Sequence, residues 1–220
     1  MLDELEEDAI KELFNLSLGR AVPTLSEMVD AEIEFSVPCL EMTPASSLVE
    51  NIESLVGSAA CLVQMGFDLV FSWRENLAGT ALFLMRADSM EPMLNALYGV
   101  PVPMATQHQV CRETFTDVGD LVLYTCVSTL SRLLDSDVEG EKPAFHRGNP
   151  RDWNIAMASF NPGGEGGFDG HWEEKRVANL RIDVAIPVRK VAGSVLIWFD
   201  LTDGPDLKRA IRHFIATHTG

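Results

Sequence analysis

At 220 residues and 46% hydrophobic, the chain is long and apolar enough to bury a substantial core. Its formal net charge of −16, with 17 basic side chains against 33 acidic ones, argues against nucleic acid or an anionic membrane surface as a partner, because clustered cations hold both. An acidic opening, MLDELEEDAI, no apolar run near the ~18 residues that span a bilayer, and four cysteines without C-x-x-C spacing point to a reduced, cytoplasmic protein.

The first element is a helix from Leu2 to about Val29. At ~100° per residue, Ile10, Phe14, Ala21, Leu25 and Met28 share one side, with Leu13 and Leu18 flanking. Asp8, Glu12, Asn15 and Gly19 form a stripe almost diametrically opposite. A short strand follows near Glu32 to Val37. Next comes a strand pair, AACLVQMGFDLVFSW running into LAGTALFLM, and then a helix, DSMEPMLNALYG, with Asp88 at the capping position. The same order then returns. A long helix spans Gln107 to about Leu134, and a short strand lies near Asp137 to Glu141. The strands NIAMASF, VANLRIDVAIPV and AGSVLIWFD precede a closing helix, DGPDLKRAIRHFI, again opened by an aspartate.

The return is visible residue by residue. TLSEMVDAEIEFSVP (Thr24 to Pro38) aligns without gaps to TLSRLLDSDVEGEKP (Thr129 to Pro143), 105 positions on. AGTALFLM and AGSVLIWF stand 114 positions apart, so the second copy carries nine extra residues, placed in or near the glycine-dense NPGGEGGFDG. These features predict an α+β fold. A helix–strands–helix unit is duplicated about a pseudo-twofold axis, with the long helices packed on a central, mostly antiparallel sheet. The expected organisation is one domain, residues 1–220, made of two repeats of about 1–104 and 105–220.

The polar stripe invites two readings, a solvated helix face or a chemical edge. Asn15 is a weak helix former, so a merely solvated face gains nothing from it. Gly19 costs roughly 1 kcal/mol in a helix interior and clears space beside Asn15. Alternatively, Gly19 accommodates a kink, since the ring of Pro23 presses on the carbonyl four residues back. The stripe also recurs 105 positions on, as Glu113, Asp117 and Asp120.

Asp8, Glu12 and Asn15, followed after 22 residues by Pro38, stand at the intervals that mark the CheC/CheX/FliY phosphatases of bacterial chemotaxis, which this sequence resembles. The second copy supplies Glu113, Asp117, Asp120 and Pro143 at the same spacing with two substitutions. Through the duplication the resemblance covers nearly the whole chain. Length points closest to CheC, since CheX is shorter and FliY carries a further domain.

The resemblance implies a hydrolase of two-component signalling that removes the phosphoryl group from the aspartate of a response regulator such as CheY-P. Asn15 would orient the attacking water, and Glu12 would pair with a lysine of the regulator. Asp8 and Glu113 would be contact residues. The protein would need no cofactor or metal of its own, with Mg²⁺ supplied by the regulator. Asp117 and Asp120 would form a degenerate second site. A carboxylate at 120 in place of an amide meets the phosphoryl oxygens with like charge, ~3 kcal/mol at ~5 Å and an effective dielectric of ~20, on the order of a hundredfold in rate. The alternative is a CheC-like adaptor without activity, binding a response regulator or a CheD-like deamidase.

Other candidates carry less. His146, His171, Glu173 and Glu174 flank the glycine-rich stretch without metal-ligand spacing. His213 and His218 read as helix-end residues. Met90, Met93, Leu94 and Leu97 make a core stripe, and Cys61 and Cys126 sit in apolar runs as small hydrophobes.

Overall fold

The computed structural model describes residues 4–73, 76–99, 103–153, 176–189, 191–200 and 205–218. Helix α1 (Glu4–Val29) opens with Glu4, Glu6 and Glu7 in its first turn, where acidic side chains suit the positive end of the helix dipole. It runs through Pro23 without a break, and Asp30 follows it with a left-handed φ of 46°. The second long helix, Met104–Leu133, stops the same way, with Asp135 at φ 53°. Aspartate tolerates this region better than most L-residues. The repeat therefore extends to how each helix ends. Each is also tied to its following strand by a matching serine: Ser26 Oγ accepts from the Ile33 amide, and Ser131 exchanges hydrogen bonds with Ser136.

Among the described residues eight strands form one antiparallel sheet: β1 (Glu34–Phe35), β2 (Cys39–Pro44), β3 (Ala60–Phe71), β4 (Asn76–Arg86), β5 (Ser136–Gly140), β6 (Ala144–Gly148), β7 (Arg176–Ile186) and β8 (Val191–Asp200). The order is β1-β7-β8-β4-β3-β5, with β2 also on β7 and β6 also on β3. β3 with β4 and β7 with β8 are hairpins, as their short connections predict, and β4 meets β8 at the middle with Leu82 opposite Leu196. The short strands cross over. β1 and β2 edge β7, whereas β5 and β6 edge β3, so each half closes the sheet edge of the other.

Among the described residues the remaining α-helices are α2 (Leu48–Val56), α3 (Met90–Tyr98), α4 (Met104–Leu133) and α5 (Pro205–His218). One face of the sheet packs α1, α3, α4 and α5 over a single apolar cluster that includes Phe14, Phe67, Phe83, Phe115 and Phe199. The other face carries α2, whose Leu48, Ile52 and Val56 cover Leu62, Leu82, Leu84 and Trp198. Where both faces are covered the strands are buried continuously, Ala60 to Val63 in β3 and Thr80 to Met85 in β4, whereas β3 alternates from Gln64 to Phe71.

The pseudo-twofold α+β architecture matches the sequence reading. Three elements were not anticipated: β2, β6 and α2, although Leu48, Ile52 and Val56 recur at helical spacing ahead of Gly57, which ends α2 at φ 75°. Asp88 does not cap α3. Ser89 stands at the cap position without a side-chain capping bond, and Asp88 lies in a preceding 3-10 turn with its carboxylate on Arg86 at 2.9 and 3.1 Å. The short guanidinium–carboxylate pair takes the side chain that the cap would have used. The strand expected at 154–160, the glycine-rich stretch and the aspartate before α5 lie outside the described residues.

Candidate functional site

The site is built on α1 from its buried side outward. Ile10, Leu13 and Phe14 are almost wholly buried, and the Phe14 ring lies 6.4 Å from that of Phe199 in β8. At the start of the helix, Glu6 is 2% exposed and accepts from Arg212 Nε at 2.9 Å, with Lys208 Nζ at 3.4 Å. These bonds clamp α1 to α5. The helix is fixed from beneath.

Its opposite side is open. Asp8, Glu12, Asn15 and Gly19 are all exposed. Asp8 faces Lys11 at 3.6 Å, an i,i+3 pair on the surface. The side chains of Glu12 and Asn15 have no hydrogen-bond or ion-pair partner among the described residues. They stand one turn apart, with about 4.5 Å of rise between them. Among the described residues a Cβ built on Gly19 meets nothing within 4 Å, so no packing need there calls for the glycine. Pro23 is exposed, and the helix continues through it to Val29.

On α4 the counterpart stripe, Glu113, Asp117 and Asp120, is likewise exposed, and Gln109 donates to Glu113 at 2.9 Å. Beneath it α4 lies very close to the sheet. A Cβ on Gly119 would meet Val63 of β3 at 2.6 Å, and Phe115 stacks on Phe83 at 5.1 Å. The two stripes differ at one further position. Where α1 has Gly19, α4 has Tyr124, 60% exposed. The repeat offset of 105 reveals this pairing directly once the register is carried one turn past Asp120.

Pro38 and Pro143 take no part in either stripe. Each stands immediately before a short strand, β2 or β6, where the chain passes from one pairing to the next along the edge of the partner repeat's long strand. Proline has no N–H to lose at such a break.

The full length of the molecule can be compared with FliY of Thermotoga maritima: 99% of this chain and 98% of that one superpose with a TM-score of 0.66 at 16% identity. The chain has the CheC/CheX/FliY fold. The FliM middle domain of Vibrio alginolyticus matches 89% of this chain and 98% of its own at a TM-score of 0.54 and 16% identity. CheX of Borrelia burgdorferi, solved in a complex of CheX, CheY, BeF₃ and Mg²⁺, matches 85% of this chain and 96% of its own at 0.51 and 17% identity. No protein-family model matches the chain. At these identities the CheC/CheX/FliY likeness is one of fold.

Outside the stripes, Met90, Met93 and Leu94 are core, as their spacing predicts, and Leu97 packs against them half-buried. His146 is half-buried against Trp153, and burial pushes its pKa down. His171, Glu173 and Glu174 lie outside the described residues, among which no group of three or more His, Cys, Asp or Glu is placed to hold a metal. His213 sets its ring edge-on to Trp73 at 5.8 Å and reaches Asp135, behind α4, at 4.0 Å. No helix among the described residues is long and apolar enough to cross a membrane.

Proposed function

We propose that this chain is a phosphatase for the aspartyl phosphate of a CheY-like response regulator, with Glu12 and Asn15 of α1 as the working pair. One observation carries the reading: an exposed, unpartnered acid and amide stand one turn apart on a helix whose reverse side is locked into the core. The fold is shared with a CheX protein found in complex with CheY, which supports a regulator as the partner.

The chemistry asks little of the protein beyond placement. An acyl phosphate is already reactive, and its hydrolysis needs an in-line water and stabilised charge rather than a strong base. The regulator contributes the phosphoaspartate, Mg²⁺ and a lysine. Asn15 enters the regulator's pocket, and its amide oxygen accepts from the water and aims it. Glu12 pairs with the lysine and fixes the approach. The water oxygen bonds to phosphorus as the phosphorus–oxygen bond to the aspartate breaks, giving a free carboxylate and inorganic phosphate, with a proton released to solvent. Asp8 and Glu113 are contacts at most. Asp117 and Asp120 form a degenerate site because the carboxylate of Asp120 repels the phosphoryl oxygens. This reading places the protein in the cytoplasm.

The second reading is an adaptor that binds a regulator or a CheD-like deamidase without hydrolysis. The fold shared with FliM middle domains favours it, and a FliM of H. pylori that also matches was solved in a complex with FliG. Lifetime of a labelled, phosphorylated regulator separates the two. Faster decay with the protein supports the phosphatase, whereas capture of the regulator with an unchanged phosphoryl lifetime supports the adaptor.

A further inference from the structure

Away from both stripes, β3 and α4 set two thiols against each other. Cys61 is fully buried in β3 and Cys111 is 3% exposed near the start of α4, and both are free cysteines. The two thiols are close enough for each to shift the other's titration, Cys61 upward and Cys111 downward. β6 lays Arg147 directly opposite Cys61 in the strand register. Cys111 and Arg147 then line one cavity of about 370 Å³, together with Asp88, Glu91, Gln107 and His108.

The two sulfurs are unequal. The neighbouring Cys61 thiol, joined by the positive charge of Arg147, outweighs burial and holds the Cys111 thiol below its ordinary range. Cys61 is pushed the other way by Cys111 and by burial. Of the other cysteines, Cys39 also stands opposite an arginine, Arg181, in the β2–β7 register. Cys126 is buried and raised to about 12 by desolvation alone, and exposed Cys39 has a carboxylate, Glu41, 3.9 Å from its sulfur.

We propose that Cys61 and Cys111 are a peroxide-reactive dithiol, in which Cys111 takes the oxidant from the Arg147 cavity and Cys61 closes a disulfide between β3 and α4. The Cys111 thiolate attacks one peroxide oxygen. A sulfur–oxygen bond forms, the oxygen–oxygen bond breaks, and the leaving hydroxide takes a proton to become water. Cys111 is oxidised to a sulfenic acid and the peroxide is reduced. The Cys61 sulfur then attacks the sulfenic sulfur, the sulfur–oxygen bond breaks, and the Cys61 proton leaves with the hydroxide as a second water. A peroxide is scarcely larger than a water molecule, whose share of liquid volume is ~30 Å³, so the cavity admits it with room to spare. The reaction involves α4 and the sheet, not α1, and stands apart from the phosphatase reading.

The test is graded exposure of the full-length protein to hydrogen peroxide, followed by non-reducing peptide mapping. The expected product is the Cys61–Cys111 disulfide, formed ahead of any Cys39 oxidation and reversed by dithiothreitol. Arg147→Gln, at an exposed position, is expected to slow its formation several-fold with an unchanged circular dichroism spectrum. In Cys61→Ala, Cys111 should persist as a sulfenic acid trapped by dimedone. Oxidation of Cys39 while Cys61 and Cys111 stay reduced would overturn the proposal, as would an unchanged rate in Arg147→Gln.

Discussion

Tyr124 stands on α4 at the position that Gly19 holds on α1, both facing solvent, so one stripe ends in open space and the other in an exposed ring. A surface that must seat a helix in a concave site tolerates the first and collides with the second. The two stripes therefore differ in shape as well as in the charge of Asp120 against the amide of Asn15.

This difference makes Gly19 a test of docking rather than of folding. Gly19→Ala should raise stability by about 0.5–1 kcal/mol, since the helix gains propensity and the new methyl meets nothing. Its phosphatase activity should match wild type. Gly19→Tyr should fold as well but lose about tenfold or more in kcat/KM, chiefly through KM. Steady-state kinetics on a phosphorylated regulator, with thermal melts alongside, check both.

The same logic runs in reverse on α4. In an Asn15→Ala background, Asp120→Asn alone should recover little, because the ring of Tyr124 still blocks approach. Asp120→Asn with Tyr124→Ala should restore measurable dephosphorylation. Recovery by the single change would assign the defect to charge alone.

Glu6 tests the mounting of α1. Its carboxylate is buried while Arg212 and Lys208 reach it from the surface of α5. Glu6→Gln keeps the shape but weakens the charge-assisted bonds, an expected loss of about 1.5–3 kcal/mol. Urea unfolding measures it, and no change would show that α1 is held by its apolar face alone.

Gly119 tests how closely α4 lies on the sheet. A Cβ there would meet Val63, a branched side chain without a flexible end, at 2.6 Å. Gly119→Ala should cost about 1–3 kcal/mol despite its better helix propensity. A stabilised variant would contradict the contact.

Acid stability carries a sign that Asp183 sets. Arg181 holds its carboxylate at 2.7 and 3.1 Å and Ser194 donates at 2.8 Å, so its pKa lies below the ordinary 3.8. A depressed folded value adds stability above the unfolded pKa, and that stability fades as pH falls through the folded one. Asp183→Asn should therefore lower the urea midpoint near neutral pH, and the gap to wild type should narrow as the pH falls below the ordinary 3.8.

The long helices, both hairpins and the pseudo-twofold plan were legible because each rests on a local period or on the repeat itself. The crossing of the short strands was not. Glu34–Phe35 and Ser136–Gly140 pair with strands of the other half, and nothing in a two- or five-residue segment says which edge it will meet. Helix α2 was missed where its three apolar residues follow a turn-like Pro44-Ala45-Ser46-Ser47. At the site, the outward face of Asp8, Glu12, Asn15 and Gly19 followed from helix geometry, as did that of Glu113, Asp117 and Asp120. Tyr124 escaped because the second stripe was read only as far as its last acid. The mounting of α1 by Glu6 joins residues 206 positions apart and leaves no local trace.

The central claim is that Asn15 aims a water at a partner's phosphoaspartate. The most direct measurement is the decay of a labelled, phosphorylated regulator alone, with wild-type protein, and with Asn15→Ala. Wild type is expected to shorten the phosphoryl lifetime, and Asn15→Ala to lose about a hundredfold of that acceleration while keeping its fold. Equal decay with and without the protein, or an Asn15→Ala variant as active as wild type, would contradict it.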